Sequence, residues 1–343
     1  METPRATLKD VAQKSGYALR TVKKVLSGTE NVREKTRVTV LQAAMDLNYR
    51  RNILASTLSK GTNRRIAVVY SETTETYFPE VKRGFTECAE ELKDYGLTIA
   101  FQKAFAIDVE NQIDILKNII EDDNIDGLII QPVSRTQLNP YIDEISNAGK
   151  PVITFGADAP LSKRLCYIGP NAYKSGRIGA QILANYIGKT GNVALISVNS
   201  EHMQTYDRVR GFTDRMNEHY PNIKVTNLNI PLNPALYYEV TKTILTKESY
   251  KGIFCTDANS YIAGEVLRDL KKKDTVVVGF DISQKATELM KQDYLKVIIE
   301  QNPYQFSYNA LKLLFNYLYL NVIPDMIQHT TLSVLTSECL DNN

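Results

Sequence analysis

Apolar residues recur at helical spacing through residues 8–47; from residue 66 they gather into short β-branched runs separated by amphipathic stretches. In the first block, Thr7 and Asp10 have the spacing of a capping box opening a helix over 8–15. Leu8, Val11 and Ala12 face inward there, and Gly16 is its stop. Beyond Tyr17 and Ala18, a second helix is predicted over 19–27, facing inward through Val22, Val25 and Leu26 and ended by Gly28. A third over 33–47 sets Val38, Leu41, Ala44 and Met45 on its inner face. Two short helices about a tight glycine turn, closed by a third, have the layout of a helix-turn-helix unit. Spacing alone also fits any small three-helix bundle.

After Tyr49 the chain reads RRNILASTLSKGTNRR, where Leu54, Ala55 and Leu58 share one helical face among Arg50, Arg51, Lys60, Arg64 and Arg65. Such a stretch suits either a solvated linker or a short helix that forms on DNA and wedges an apolar side chain between base steps. Beyond it, apolar runs fall at 66–70, 97–101, 127–130, 152–155, 193–197, 252–255 and 276–280. Helical patterns lie between them at 81–95, 112–122, 137–148, 175–187, 208–220 and 284–292. This alternation predicts an α/β body of mostly parallel sheets wrapped by helices. Almost 280 residues are too many for one ordinary sheet, so two sub-domains around a cleft are expected. The expected layout is a head at 1–51, a hinge helix and linker at 52–65, and a body at 66–343.

Charge sharpens this division. The first 65 residues hold 14 Lys and Arg against 5 Asp and Glu, a charge of +9, whereas the remainder carries −7. A basic helical head on a mildly acidic body is the footprint of a nucleic-acid-binding module joined to something else. Composition narrows the rest: 43% apolar and 23% charged residues exclude a disordered, collagen-like or fibrous chain. No run approaches the ~20 apolar residues of a membrane span. The first thirty residues lack the apolar block of a secretion signal, so a cytoplasmic protein is expected. Cys88, Cys166, Cys255 and Cys339 form no C-x-x-C pair and are expected to be reduced packing residues. His202, His219 and His329 form no ligand cluster, so neither metal nor cofactor is expected.

In open α/β sheets, ligands bind beyond the carboxyl ends of the strands. Polar and aromatic residues at those points are Tyr77, Phe78, Gln131, Asp158, Asp257, Asn259, Asp281 and Gln301, with Arg208 at a helix start. Carboxylates, amides and an arginine beside aromatic rings suit a neutral polyhydroxylated ligand, since Asp and Arg bond vicinal hydroxyls and rings cover an apolar sugar face. Several of these residues equally suit helix N-caps. G-x-S-x-G, G-x-x-x-x-G-K-[ST] and H-E-x-x-H are absent, and Gly176, Gly179 and Gly188 make no dinucleotide fingerprint, so no enzyme is expected.

The segment TLKDVAQKSG…TVKKVLSGTENVREKTRVTVLQAAMDLNYRRN…LASTLSKG resembles the head of the lactose-repressor (LacI/GalR) family of bacterial transcription regulators. YFPEVKRGF, PVITFGADAP, YIGPNAYKSGRIGA, YDRVRGF, VVVGFDIS and IIEQNP resemble that family's effector domain, which is similar to periplasmic sugar-binding proteins (type I). The resemblance implies a reading helix beginning near Leu19. Leu19, Arg20 and Lys24 would face bases in the major groove, and Thr7, Thr21, Ser27 and Asn31 would hold phosphates. Leu58 would be the minor-groove wedge of a hinge helix. In the body it implies effector contacts at Phe78, Asp158, Arg164, Arg208, Asp281 and Gln301, with Asp257 and Asn259 competing for one further position.

Departures limit what is transferred. Tyr17-Ala18 stands where the family usually has Val-Ser, Lys23-Lys24 where it has Ser-Arg, and Arg50-Arg51 where a proline follows the tyrosine. Ala18 has no capping side chain, so the reading helix is expected to have a shifted start or to be less stable by ~1 kcal/mol. The implied function is a repressor-type regulator binding a near-palindromic operator as a homodimer, its affinity set by a small sugar, a pentose or hexose. A purine or sugar-phosphate effector is the alternative, and an architectural DNA-binding protein a further one.

Overall fold

The computed structural model describes residues 6–26, 32–47, 49, 63–71, 77–104, 108–198, 202–230 and 233–340. The chain divides into two compact units, Met1–Thr62 and Asn63–Asn343.

The head contains helices α1 (Leu8–Ser15), α2 (Leu19–Leu26) and α3 (Glu34–Asp46). The capping box at Thr7 is formed in both directions: Thr7 Oγ1 accepts from the Asp10 amide and Asp10 accepts from the Thr7 amide at 2.7 Å. Gly16 takes the left-handed conformation (φ 69°) that lets α1 turn sharply toward α2. The start of α2 is not shifted. Although Ala18 has no capping side chain, its carbonyl accepts from Thr21 and Val22 and the helix begins at Leu19. Val11, Val22, Val25, Val40, Ala43 and Ala44 form the core. The predicted inner face of α3 is corrected: Val38, Leu41 and Met45 are exposed, and of the four residues expected there only Ala44 is buried. Six apolar residues crowd both sides of α3, so the packing partners α1 and α2 choose the face that the spacing cannot.

Among the described residues the body holds two six-stranded sheets. The first has the order β11-β5-β4-β3-β1-β2, from β1 (Arg64–Ser71), β2 (Leu97–Ala104), β3 (Gly127–Ile130), β4 (Val152–Phe155), β5 (Cys166–Pro170) and β11 (Ile327–Thr330). All its pairings are parallel. The second has the order β12-β10-β9-β8-β6-β7, from β6 (Gly191–Ser197), β7 (Ile223–Asn229), β8 (Gly252–Cys255), β9 (Val276–Phe280), β10 (Val297–Glu300) and β12 (Ser333–Leu335). Only β12 runs antiparallel to its neighbour. The central strands are buried on both faces, which is why they read as continuous apolar runs. Arg64 and Arg65, which the charge pattern groups with the linker, are the first residues of β1; Arg64 pairs with Asp126, and the Arg65 amide donates to Asp126 at 2.8 Å.

Helices α4 (Tyr77–Leu92), α5 (Val109–Glu121), α6 (Asn139–Asn147) and α12 (Pro303–Leu320) belong to the first sheet. Phe155 joins Phe85 of α4 and Phe306 of α12 under it. Helices α7 (Ala172–Tyr186), α8 (Met203–His219), α9 (Pro234–Lys247), α10 (Ser260–Asp269) and α11 (Gln284–Lys291) wrap the second. The chain crosses between the two sheets after β5, after β10 and between β11 and β12, so three strands of chain hinge the sub-domains. Ser27, Asn31, Leu54, Ala55 and Leu58 lie outside the described residues.

Candidate functional site

A connected polar network gathers just past the carboxyl ends of β8, β9 and β10 in the second sub-domain, together with α8. Arg208 lies in the middle of α8, not at a helix start: residues 203–207 are already helical. Its guanidinium carbon sits 3.6 Å from the centroid of Phe280. One nitrogen donates to the Thr256 carbonyl at 2.6 Å and another to Gln301 Oε1. Gln301 Nε2 then donates to both carboxylate oxygens of Asp281 at 2.8 Å. Gln204, one turn before Arg208, also donates to Gln301 Oε1, at 2.6 Å. Arg208, Gln301 and Asp281 are only 2%, 1% and 5% exposed, so a side chain of each sign and their amide bridge are held almost wholly out of water.

Asp281 is the first residue past β9 and adopts a left-handed backbone (φ 59°), a conformation that Asp tolerates better than most side chains. Burial and the nearby Glu300 push its carboxyl up to about 7, against the pull of Arg208 and the Gln301 hydrogen bond. Asp257 is also raised by burial; one of its oxygens accepts from the Asn259 amide at 2.8 Å, and the other is buried without a hydrogen-bond partner among the described residues. Arg208 Nε and Thr256 Oγ1 are unpaired in the same way. Asn259 precedes α10 without capping it through its side chain. These unpaired donors and acceptors around one buried hub are groups a ligand would satisfy.

The first sub-domain contributes Tyr77 at the start of α4, whose hydroxyl accepts from Gln131 at 3.4 Å. Burial holds the Tyr77 phenol well above its usual range, and Asp281 adds to that shift from across the cleft. Phe78 is 4% exposed and stacks on Tyr70 with centroids 3.7 Å apart, so one ring face is already covered. Asp158 and Arg164 form a separate buried pair. Asp158 accepts from Arg164, from Thr154 at 2.7 Å and from the Ala159 amide at 2.8 Å, while Arg164 also reaches the Met326 carbonyl. Hydrogen bonds therefore join Arg208, Gln301 and Asp281, with Asp257 near enough to act on their charge, while Phe78 is buried against Tyr70 and Arg164 is committed to Asp158.

Three cleft residues escaped the sequence pattern. Gln204 and Thr256 belong to the hub, and His202 lies beside it, neutral because burial and then Arg208 lower its imidazole to about 4. The signal for Gln204 is its position four residues before Arg208, visible only if the helix is started at Met203. A cavity of about 360 Å³ adjoins the network, lined by Asp158, Tyr167, Tyr173, Gln204, Asp207 and Arg210 among others.

In the head, Arg20, Lys23 and Lys24 are exposed on the side of α2 opposite buried Val22 and Val25. Leu19 and Thr21 are half-buried, and Thr7 is exposed with its hydroxyl in the α1 cap. Among the described residues no group of three His, Cys, Asp or Glu could hold a metal, and no helix is long and apolar enough to cross a membrane.

Residues 7–52 match the bacterial regulatory proteins of the lacI family, and residues 66–319 match the periplasmic binding protein domain. A transcriptional regulator named RegA from Clostridium saccharobutylicum is 26% identical over 80% of this chain and 82% of its own. The sucrose operon repressor of Pediococcus pentosaceus is 28% identical over 73% of each chain. The glucose-galactose binding protein GanP from Geobacillus stearothermophilus shares the fold with a TM-score of 0.75 and 23% identity, covering 81% of this chain and 99% of its own.

Proposed function

Since the chain belongs to the lacI family of bacterial regulatory proteins, as a DNA-binding repressor governed by an effector, we propose that this effector is a neutral sugar unit held by Arg208, Asp257, Asp281 and Gln301. The observation that carries the reading is the buried hub itself. Arg208 is already engaged by Gln301, the Thr256 carbonyl and the Phe280 ring, which leaves unpaired hydrogen-bonding atoms rather than an open cationic pocket. Sugar phosphates and other anions need uncompensated cations, whereas vicinal hydroxyls match carboxylate, amide and guanidinium groups.

On the DNA side, Arg20 and Lys24 donate to guanine edges, Leu19 meets a thymine methyl, and Thr7, Thr21, Ser27 and Asn31 hold phosphates. Two heads of a homodimer engage a near-palindromic operator, with Leu58 as the minor-groove wedge, in the cytoplasm where the chromosome lies. A sugar that binds one cleft geometry better than another shifts the balance between them and, through the linker, the affinity for DNA. RegA and the sucrose operon repressor are regulators, which supports reading this chain as a binding protein and not an enzyme.

The test is a gel-shift titration on DNA upstream of the protein's own gene, with and without a panel of sugars and purines. A specific band whose midpoint moves with a neutral sugar is the expected result. Arg208→Ala and Asp281→Ala should each abolish that movement and spare operator binding. A band that responds to purines or sugar phosphates alone would replace the sugar reading, and unchanged sugar affinity in both variants by titration calorimetry would move the site elsewhere.

A further inference from the structure

Successive side chains of β5 and β11 point to opposite faces of the first sheet. Tyr167 and Ile327 line the cavity that adjoins the hub, while their neighbours Ile168 and Gln328 line a second cavity of about 410 Å³. Ile168 is in register with Phe155, which packs on Phe306, so this second cavity lies on the α12 face of the sheet. The two cavities share only His329, and none of Arg208, Asp257, Asp281 and Gln301 lines the second.

One wall is a stripe on the start of α12, Asn302, Gln305 and Asn309, spaced to share a helix face. The other is Gln328 and Thr330 of β11, with Thr331 just past its end. Four carboxamides and two hydroxyls thus surround buried Ile168, and among the described residues no Asp, Glu, Lys or Arg lines the space. Much of this hydrogen-bonding capacity is unused. Gln305 Nε2 donates to Asn309 Oδ1 at 3.3 Å, but the side chains of Gln328 and Thr331 make no hydrogen bond among the described residues. Thr330 Oγ1 is unpaired there and shut off from water as well. An anion would find no cation, and the Gln305 amide is already taken by the Asn302 side chain at 3.1 Å. Carboxamides and hydroxyls each donate and accept, as alcohol groups do, and the volume is that of a small-molecule site.

We propose that this cavity is a regulatory site for a small uncharged polyol, separate from the effector cleft. Its place in the chain supplies the coupling. Asn302 stands where the chain crosses back after β10, and Thr331 where it crosses between β11 and β12. His329 at the border contacts Asn171, in the crossing after β5, with Nε2 and Nδ2 3.3 Å apart. An occupant bonded to these residues favours one relative position of the sub-domains, so it alters DNA affinity through the same linker as the cleft ligand, and each ligand changes the affinity of the other. The inference does not depend on which effector the hub takes.

Titration calorimetry of the full chain with myo-inositol and sorbitol, each beside its monophosphate ester, tests this. At least one polyol should give a saturable curve, and its ester a weaker one. Thr330→Val and Gln328→Ala should each weaken polyol binding roughly two- to ten-fold, the range for one lost hydrogen bond, whereas Arg208→Ala should leave it as it is. In gel shifts the same polyol should move the operator midpoint of the unaltered chain and not that of Thr330→Val. Circular dichroism melting separates loss of fold from loss of binding, and Gln305→Ala, at an exposed helix position, stands in should a strand variant unfold. Binding lost in Arg208→Ala but kept in the cavity variants would place the polyol in the cleft and overturn the site. Tighter binding of the ester, or heats that never saturate with either polyol, would overturn it too. Saturable binding that leaves the operator midpoint unmoved would overturn the regulatory role.

Discussion

The guanidinium of Arg135 lies 4.3 Å from the ring centroid of Tyr206. Arg135 follows β3 in the first sub-domain and Tyr206 stands on α8 in the second, so the pair spans the cleft proposed for the effector. A cation–π contact at a partly exposed site is worth about 0.5–1 kcal/mol. Arg135→Ala should therefore weaken effector binding by roughly two- to five-fold, because the arrangement that grips the ligand loses a contact. Operator binding without effector should be affected less. Calorimetry on the variant checks this, and an unchanged dissociation constant would mean that the pair does not report on closure.

Asp281 should give the protein a pH dependence near neutrality. Its carboxyl is raised from the ordinary value of 3.8 to about 7, first by burial and then by Glu300, with Arg208 and Gln301 opposing and Asp257 reinforcing. The folded chain thus holds a proton there that the unfolded chain releases above pH 4, so the contribution of this group to stability declines as pH rises from about 4 to about 7. A sugar hydroxyl that donates to the carboxylate favours the ionised form. Effector affinity should then increase between pH 6 and 8, with proton release on binding. Asp281→Asn should flatten both dependences, the first read by thermal unfolding against pH and the second by calorimetry in buffers of different ionisation heat.

Two glycines set the position of α8. A methyl group at Gly211 would come within 2.0 Å of the Tyr173 carbonyl oxygen, and one at Gly176 within 2.1 Å of the Arg208 carbonyl oxygen. In each case the obstacle is backbone, which has little freedom to yield. Overpacking of this kind costs about 1–3 kcal/mol, and each kcal/mol lowers Tm by roughly 2–4 °C in a domain of this size. Gly211→Ala should therefore melt several degrees lower and bind effector more weakly, since α8 carries Gln204 and Arg208. Gly264→Ala, whose methyl would meet the flexible end of Leu289 at 3.1 Å, should fall less in both respects. Equal melting of the two variants would mean that α7 and α8 can separate freely.

What could be read from the chain follows the physics of each element. Strands β3, β4, β8 and β9 are short, fully buried and continuous in apolar character, and their predicted bounds agree with the structure. The half-exposed edge strand β7 (IKVTNLN) carries no such run and was not anticipated. The first turn of α8 reads Met-Gln-Thr-Tyr-Asp, too polar to announce a helix, so Gln204 was lost with it. Arg208, Asp281 and Gln301 were legible one at a time, as polar residues near strand ends. Their meeting was not, because Gln301 enters only where the chain crosses back after β10, a long-range fact of topology.

The α1 cap separates a structural role from a DNA-binding one in the head. Thr7 closes the capping box with Asp10 and is also an expected phosphate contact. Thr7→Ala should destabilise α1 by about 1 kcal/mol, seen as faster hydrogen exchange of its amides in the full chain, and should also weaken operator binding. Asp10→Ala opens the same box but keeps the Thr7 hydroxyl, and it removes a negative charge from the surface proposed to meet phosphates. It should therefore speed exchange in α1 while operator affinity holds or rises. Parallel losses of affinity in both variants would assign the effect of Thr7 to helix stability alone, with no hydroxyl–phosphate contact.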